Sequence, residues 1–569
     1  MKILLCAINA KYIHSNLAVY SLKASAGEYA EQIEIAEFTI NNASDSILQE
    51  IYKRKPDVLM FSCYIWNIAM VEDIVREYHK LCKDIPIWLG GPEVSFEVET
   101  FLKVHPQITG IMMGEGEKTL YELCESFAGK RPLSDILGIA YREDGDIHIH
   151  AWRDVTDMST LPFSYNKMED FSNRIIYYES SRGCPFSCSY CLSSVDKKLR
   201  FRAIEKVKEE LQFFIDQKVP QIKFVDRTFN CNHTHAMEIW RYIHEHDNGV
   251  TNFHFEVSAD LLNEEELELI SQMRKGLIQL EVGVQSTNEV TIQEIKRTMR
   301  LNRLKEVVEM IKGFGNVHQH LDLIAGLPYE DYDTFGQSFD EIYRLQPNQL
   351  QLGFLKVLKG SYMYEHASEY EIVYHDTPPY EVMATKWLSY EDVIKIKRVE
   401  EMLEVYYNSG QYEMAMRLLG LHFKSPFAMF QRLGDYYEEN GYLNMSHSRI
   451  KRCEILLEFF EEELEGDGDK EAALICLKEA LVFDLYYREN CKSRPEWATN
   501  MAEFKTVTHR FCKNGKLSHV EPFHYDFLHM ADKWPEYRQK PLWALFSYEK
   551  RDPLNHQAYV EYVDAEEAV

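Results

Sequence analysis

The chain has 569 residues, 45% hydrophobic and 27% charged, a composition that excludes a disordered or fibrous protein and calls for several globular cores. A formal net charge of −28 repels polyanions over most of the surface and argues against a nucleic-acid partner, though not against a local basic patch. No apolar run is long enough for a membrane span, and the start at Met1 runs into a strand pattern rather than a signal peptide, so a cytoplasmic protein with no membrane partner is expected. Of the twelve cysteines, all but Cys184, Cys188 and Cys191 are isolated along the chain, which is not a secreted disulfide framework.

Apolar runs at 2–8, 33–38, 57–64, 86–91 and 110–114 alternate with helical spacing at 16–29, 44–54 and 68–81. Continuous apolar strands separated by helices predict a parallel, doubly wound, Rossmann-like α/β sheet. Ligands of such sheets bind at the carboxyl ends of the strands. Four of those ends are distinctive: Asn9–Asn16, Ser62–Asn67, Gly90-Gly91-Pro92-Glu93 and Gly114-Glu115-Gly116-Glu117. No G-x-G-x-x-G follows the first strand, which argues against a plain NAD domain. An Asp144-Gly145 hairpin signal closes the domain near residue 151, and 152–173 reads as a linker.

On those glycine turns, this region resembles the cobalamin-binding domain that precedes many radical SAM enzymes. The Asp-x-His-x-x-Gly motif of other cobalamin proteins is absent, so the resemblance implies a corrin held without that histidine. It implies cobalamin contacts from Ser62, Tyr64, Trp66, Asn67, Gly90, Gly91, Pro92, Glu93, Gly114, Glu115 and Gly116, with Tyr64, Trp66 or Asn67 near the lower face.

Residues 174–375 read as six strand–helix units, with strands at 174–180, 221–226, 252–258, 277–286, 317–324 and 349–357. Six such units predict a partial (β/α)6 barrel of TIM type, with function at the loops after the strands. The loop after the first strand is Gly183-Cys184-Pro185-Phe186-Ser187-Cys188-Ser189-Tyr190-Cys191. Its C-x3-C-x2-C spacing leaves four readings: an iron–sulfur cluster with one open iron, a zinc with a distant fourth ligand, a Cys188–Cys191 redox pair, or no chemistry.

C-x3-C-x2-C after the first of six strand–helix units closely resembles the radical SAM superfamily. The resemblance implies that Cys184, Cys188 and Cys191 bind a 4Fe–4S cluster and that S-adenosylmethionine chelates its open iron. Tyr190 matches the aromatic position beside the adenine. Asp226, Ser258, Glu281, Gln285 and Gly326 match further positions around the ligand. Cys231 reads as an ordinary thiol, and His233 and His235 as a solvated helix start.

The family chemistry is reductive cleavage to a 5′-deoxyadenosyl radical, which abstracts a substrate hydrogen, with an electron donor such as flavodoxin or ferredoxin. With a cobalamin domain it implies methyl transfer from methylcobalamin. No catalytic side chain is assigned. The alternatives are ring rearrangement or cyclisation, modification of a tRNA base or another macromolecule, and a non-enzymatic corrinoid or zinc-binding protein.

Residues 376–569 read as a mostly α-helical domain with helices at 389–407, 412–419, 426–439, 446–465 and 470–487, the fourth ending in Gly466-Asp467-Gly468-Asp469. A strand packed on an edge is expected at 541–548. Lys395, Lys397, Arg398, Arg449, Lys451 and Arg452 read as a solvated basic face, the alternative being contact with an anionic substrate. The region resembles an extension behind some cobalamin radical SAM proteins, and no small RNA-binding β-barrel is evident.

Overall fold

The computed structural model describes residues 1–165, 171, 173–464, 470–512, 517–530 and 533–565. The N-terminal sheet is built from β1 (Ile3–Asn9), β2 (Ile33–Thr39), β3 (Val58–Ser62), β4 (Ile87–Gly90), β5 (Gly110–Met112), β6 (Ile139–Glu143) and β7 (Asp146–Ile149). Its order is β2-β1-β3-β4-β5-β6-β7, parallel as far as β5 and antiparallel from there. The Asp144-Gly145 hairpin extends the sheet as β6 and β7. Helices α1 (Leu17–Ser25), α2 (Ser44–Arg54), α3 (Ile68–Leu81), α4 (Val98–Val104) and α5 (Glu117–Phe127) cover both faces. Every residue of β1 is therefore buried. Leu4, Cys6 and Ile8 join one apolar cluster, and Ile3, Leu5 and Ala7 the other.

The second sheet is six parallel strands, ordered β15-β14-β13-β12-β11-β8. They are β8 (Ile176–Tyr178), β11 (Gln221–Phe224), β12 (Asn252–Val257), β13 (Ile278–Gln285), β14 (His318–Ala325) and β15 (Gln349–Phe354), with a small ribbon of β9 (Ser181–Arg182) and β10 (Arg200–Phe201) beside the first. Helices α6 (Ile204–Asp216), α7 (His233–Glu245), α8 (Glu264–Gln272), α9 (Glu289–Glu294), α10 (Leu301–Phe314) and α11 (Tyr332–Arg344) separate successive strands. This is the expected partial barrel. Apolar outward and polar inward residues alternate along the Ile-Gln-Leu-Glu-Val-Gly-Val-Gln of β13, and β14 follows the same phase apart from Gln319 and Ile324. Beside β8, the loop after β1 lies against the open edge through an isolated bridge between His14 and Ile175.

The barrel is followed by α12 (Tyr362–Glu365), a hairpin of β16 (Val373–Tyr374) and β17 (Val382–Ala384), and helices α13 (Tyr390–Leu403), α14 (Glu413–His422), α15 (Pro426–Glu439), α16 (Arg449–Glu463), α17 (Lys470–Arg488) and α18 (Lys505–Phe511). Ser389 caps α13 in a reciprocal box with Asp392. One apolar cluster runs from the barrel helices through α13–α17 without a break. The chain ends in an antiparallel sheet of β18 (Ser518–Tyr525), β19 (Tyr537–Arg551) and β20 (Ala558–Val563). The expected strand at 541–548 is the middle of β19, so it is a central strand of its own sheet. The expected end of the fourth helix, at 465–469, and residues 166–170 and 172 of the linker lie outside the described residues.

The basic run at 395–398 is not a free face. Lys395 meets Glu391, Lys397 meets Glu381, and Arg398 meets Asp435 and Glu438. No helix among the described residues is long and apolar enough to cross a membrane.

Candidate active site at the barrel mouth

The cysteine loop is held from behind before it can hold anything in front. Asp226, 1% exposed at the end of the second barrel strand, accepts hydrogen bonds from the Ser180 amide (3.0 Å), the Ser180 hydroxyl (2.6 Å) and the Ser181 hydroxyl (2.6 Å). Its carboxylate thus clamps the chain just upstream of the cysteines. Burial raises its pKa, and the two serines oppose that. His235 adds to the clamp, its Nε2 3.1 Å from Ser180 Oγ. It is buried against Phe201, so the expected solvated helix start is corrected: α7 turns this side chain inward. Burial lowers the imidazole to about 4 and keeps it neutral. His233 faces outward and pairs with Glu266.

Gly183 has φ +86°, and a Cβ there would sit 2.8 Å from the Lys198 carbonyl oxygen. Only glycine makes this turn without strain. The loop then crosses the barrel mouth, with the Ser189 amide donating to Ile295 O (2.9 Å) and the Met363 amide to Ser189 O (2.9 Å). Cys184 and Cys188 are buried and Cys191 is half-buried. Burial raises the Cys188 thiol; Arg297 opposes this, and the nearby Cys191 and Cys184 add to it. Three thiols on one loop, with a guanidinium beside Cys188, suit a metal cluster that needs thiolates.

Arg297 is the main functional candidate that sequence reasoning missed. Its guanidinium donates to Cys188 Sγ (3.8 Å), to the Tyr190 hydroxyl (3.3 Å) and to the Gly283 carbonyl. It follows α9 as one basic residue among many, and only the fold brings it to the cysteines.

The candidates for S-adenosylmethionine fall at different depths. Tyr190 lies at the mouth. Gln285, at φ +73°, sits at a bulge where β13 shifts register against β14. Its amide occupies the space that a Cβ on Gly283 would fill, at 2.3 Å. Ser258 donates to Asp260 (2.8 Å), and its amide is bound by Asn230. Gly326 is covered on its Cβ side by Val382 of the hairpin, at 2.7 Å. Glu281 lies below this layer, inside the barrel, bonded to Lys223 Nζ (2.9 Å) and close to His254.

The strand-end turns of the N-terminal sheet meet the barrel mouth. Tyr64 and Trp66 stack at 4.4 Å, and the Trp66 indole donates to Ile8 O at 3.1 Å. Ser62 accepts from Asn16. Asn67 is buried, with its amide committed to Ile8 O, Ser62 O and the Tyr64 amide, so it shapes the turn rather than facing a ligand. Gly91 has φ +116°, and a Cβ there would lie 2.4 Å from the Cys63 carbonyl oxygen. Gly90 packs on Met112, Gly114 on Trp152 and Gly116 on Leu22.

Two acidic candidates tie the domains together. Glu93 accepts from the Tyr380 hydroxyl. Glu115 accepts from Arg200 (2.7 Å) and the Thr156 amide (2.6 Å) and faces Arg182, which also holds Glu117 and Glu179. A cavity of about 1030 Å³ opens beside the cysteine loop. Pro92, Tyr190, Cys191 and Arg227 line it together with Lys397 and Glu400 of α13. Burial and the neighbouring Glu404, Glu401 and Glu381 push the Glu400 carboxyl up to about 7.

Residues 3–124 match the family model of the B12 binding domain, 178–342 that of the radical SAM superfamily, and 368–545 a family described as a protein of unknown function, DUF4080. An uncharacterised methyltransferase of Pyrococcus horikoshii is 23% identical over 333 residues, 56% of this chain and 71% of the relative. The anaerobic magnesium-protoporphyrin IX monomethyl ester cyclase of Rubrivivax gelatinosus is 24% identical over 55% of this chain, which spans 59% of that relative. The cobalamin-dependent S-adenosylmethionine radical enzyme OxsB, solved with aqua-cobalamin and S-adenosylmethionine bound, superposes with a TM-score of 0.57 at 16% identity. That match covers 85% of this chain and 79% of OxsB, and shows a shared fold.

Proposed function

We propose that this chain, which joins a B12-binding domain to a radical SAM domain, is a cobalamin-dependent methyltransferase acting on an unactivated position of its substrate. The observation that carries this reading is geometric: the Pro92 turn of the first domain and the cysteine loop of the second line one cavity. When bound, the iron–sulfur cluster and cobalamin supply the electron and the methyl group, as cofactors carry the difficult chemistry.

The protein's part is positioning. Cys184, Cys188 and Cys191 hold the cluster, and Arg297 partly offsets the burial that disfavours the thiolate of Cys188. Tyr190 and Gln285 flank the S-adenosylmethionine, while Asp226, Ser180 and Ser181 fix the loop from behind. Trp66, Tyr64 and the Gly90–Pro92 turn form the seat for the corrin. Glu93 and Glu115 hold the two domains at the spacing the shared cavity needs. The helical region lines the same cavity through α13, so substrate choice lies with the C-terminal domain. Glu400 can hold or release a proton there near neutral pH.

The test is anaerobic reconstitution with S-adenosylmethionine carrying a deuterated methyl group and a flavodoxin or ferredoxin reductant, offered to extracts of cells lacking the protein. The expected outcome is a product bearing the labelled methyl, with 5′-deoxyadenosine and S-adenosylhomocysteine formed together. Formation of 5′-deoxyadenosine with no transferred label would instead select ring rearrangement or cyclisation.

A further inference from the structure

The barrel lumen below the mouth contains a polar cluster for which the proposed reaction has no use. Strand alternation turns His254 of β12, Glu281 of β13, and His320 and Asp322 of β14 to the inside. Glu281 and His320 are direct partners in the β13–β14 ladder, and Asp322 is two residues further along the same face. Donor atoms of Glu281, His320 and Asp322 all lie within 4.8 Å of one another. His254 Nε2 is 2.8 Å from Glu281, and His320 Nε2 is 3.1 Å from Asp322.

These atoms meet in close pairs without hydrogen-bond geometry. His254 and His320 are each 7% exposed, yet His254 Nε2, His320 Nε2 and Asp322 Oδ1 make no hydrogen bond of acceptable geometry. Buried polar atoms are normally paired. Donor atoms packed together but not aimed at one another have the arrangement of ligands aimed at a common centre. Lys223 is the rival occupant, because its ammonium already contacts Glu281 at 2.9 Å. Lys223 makes no such contact with His320 and Asp322, which face each other at 3.1 Å without hydrogen-bond geometry.

The level of the cluster in the barrel separates it from the mouth. Arg297 links the cysteine loop to the carbonyl of Gly283. Glu281 is two residues down the same strand, about 6–7 Å deeper. It therefore belongs to the lumen floor rather than to the layer of Tyr190 and Gln285.

We propose that the lumen binds one divalent transition-metal ion through Glu281, His320 and Asp322, with His254 completing the shell. Two imidazoles and two carboxylates form a mixed nitrogen–oxygen donor set that suits zinc, manganese or ferrous iron and disfavours a thiophilic ion. The site is distinct from the cysteine loop in both ligands and depth, and it stands whether or not the enzyme transfers methyl groups.

The full-length protein, reconstituted with its iron–sulfur cluster so that the cysteines are occupied, is dialysed against Zn2+ and then against metal-free buffer. The expected result is one zinc retained per chain, with retention weakened at least tenfold in His320→Gln and Asp322→Asn while iron and sulfide stay unchanged. A second measurement needs no variant: Mn2+ bound to the wild-type holoenzyme should show imidazole nitrogen couplings in pulsed electron paramagnetic resonance. No stoichiometric retention, zinc that is lost only with Cys184→Ala, or bound Mn2+ without nitrogen coupling would each overturn the proposal.

Discussion

The chain folds two parallel sheets from the same strand–helix unit, and they treat their two faces in opposite ways. In β1 every residue is buried, because helices lie on both sides of the sheet. In β13 every second residue turns into a polar lumen. A sheet covered on both faces can present chemistry only at its strand ends, which is where Tyr64, Trp66 and Gly91 lie. A curled sheet has the strand ends and its concave face as well, which gives the barrel a mouth with cysteines and a floor with histidines.

The largest effect expected is at the mouth. Cys184→Ala should abolish both the cluster, read as loss of about four irons and four sulfides per chain, and all S-adenosylmethionine cleavage. Normal iron content in that variant would remove the cysteine loop from the comparison. Arg297→Leu should keep the fold but lower cleavage roughly tenfold to a hundredfold, since losing a hydrogen bond to a charged group costs about 1.5–3 kcal/mol. A variant with unchanged cleavage and unchanged cluster absorption would reduce Arg297 to a packing role.

The two sheets are compared directly by one substitution in each. Leu5→Ala, in the doubly covered sheet, should cost about 2–5 kcal/mol in denaturant unfolding. Gln279→Ala, on the inner face of β13, should stay within about 1 kcal/mol. Equal costs would mean that the lumen is packed like the first core.

A smaller effect belongs to His235 and depends on pH. Its folded pKa of about 4 lies below the ordinary 6.5, so the unfolded chain binds more protons between those values. Stability is then fully present above that window and declines as pH falls through it, by at most about 3 kcal/mol. His235→Asn should flatten this slope in unfolding experiments run across the window. A slope that persists in the variant would assign it to other groups.

The smallest effect is expected for Trp66→Ala. Trp66 is 44% exposed, so stability should change by about 1 kcal/mol or less. Corrinoid affinity should fall several-fold with a shifted visible spectrum. An unaltered spectrum and affinity would move the corrin seat away from this turn.

Much of this was legible because it is written in local patterns. Alternating apolar runs and helical spacing located both parallel sheets and the hairpin at Asp144-Gly145. Cysteine spacing located the loop at 183–191. Arg297 and His235 were not legible in the same way. One looks like any basic residue after a short helix, and the other looks like a polar helix start. Asp226 was visible as a strand-end residue, but its role as a clamp depends on Ser180 and Ser181, 46 and 45 positions earlier in the chain.

By itself, the sequence determined the order of elements, the two sheet types and the position of the cysteine loop, since each depends on residues within one strand, turn or helix. The tertiary structure alone decided what stands next to that loop. Arg297 reaches Cys188 across 109 positions, and Tyr380 reaches Glu93 across 287. The pairing of Glu281 with His320 depends on strand register, and a slip of one residue would turn the whole inner face outward. Contacts of this kind are fixed by how the sheet curls and how the domains dock, and no local pattern encodes them.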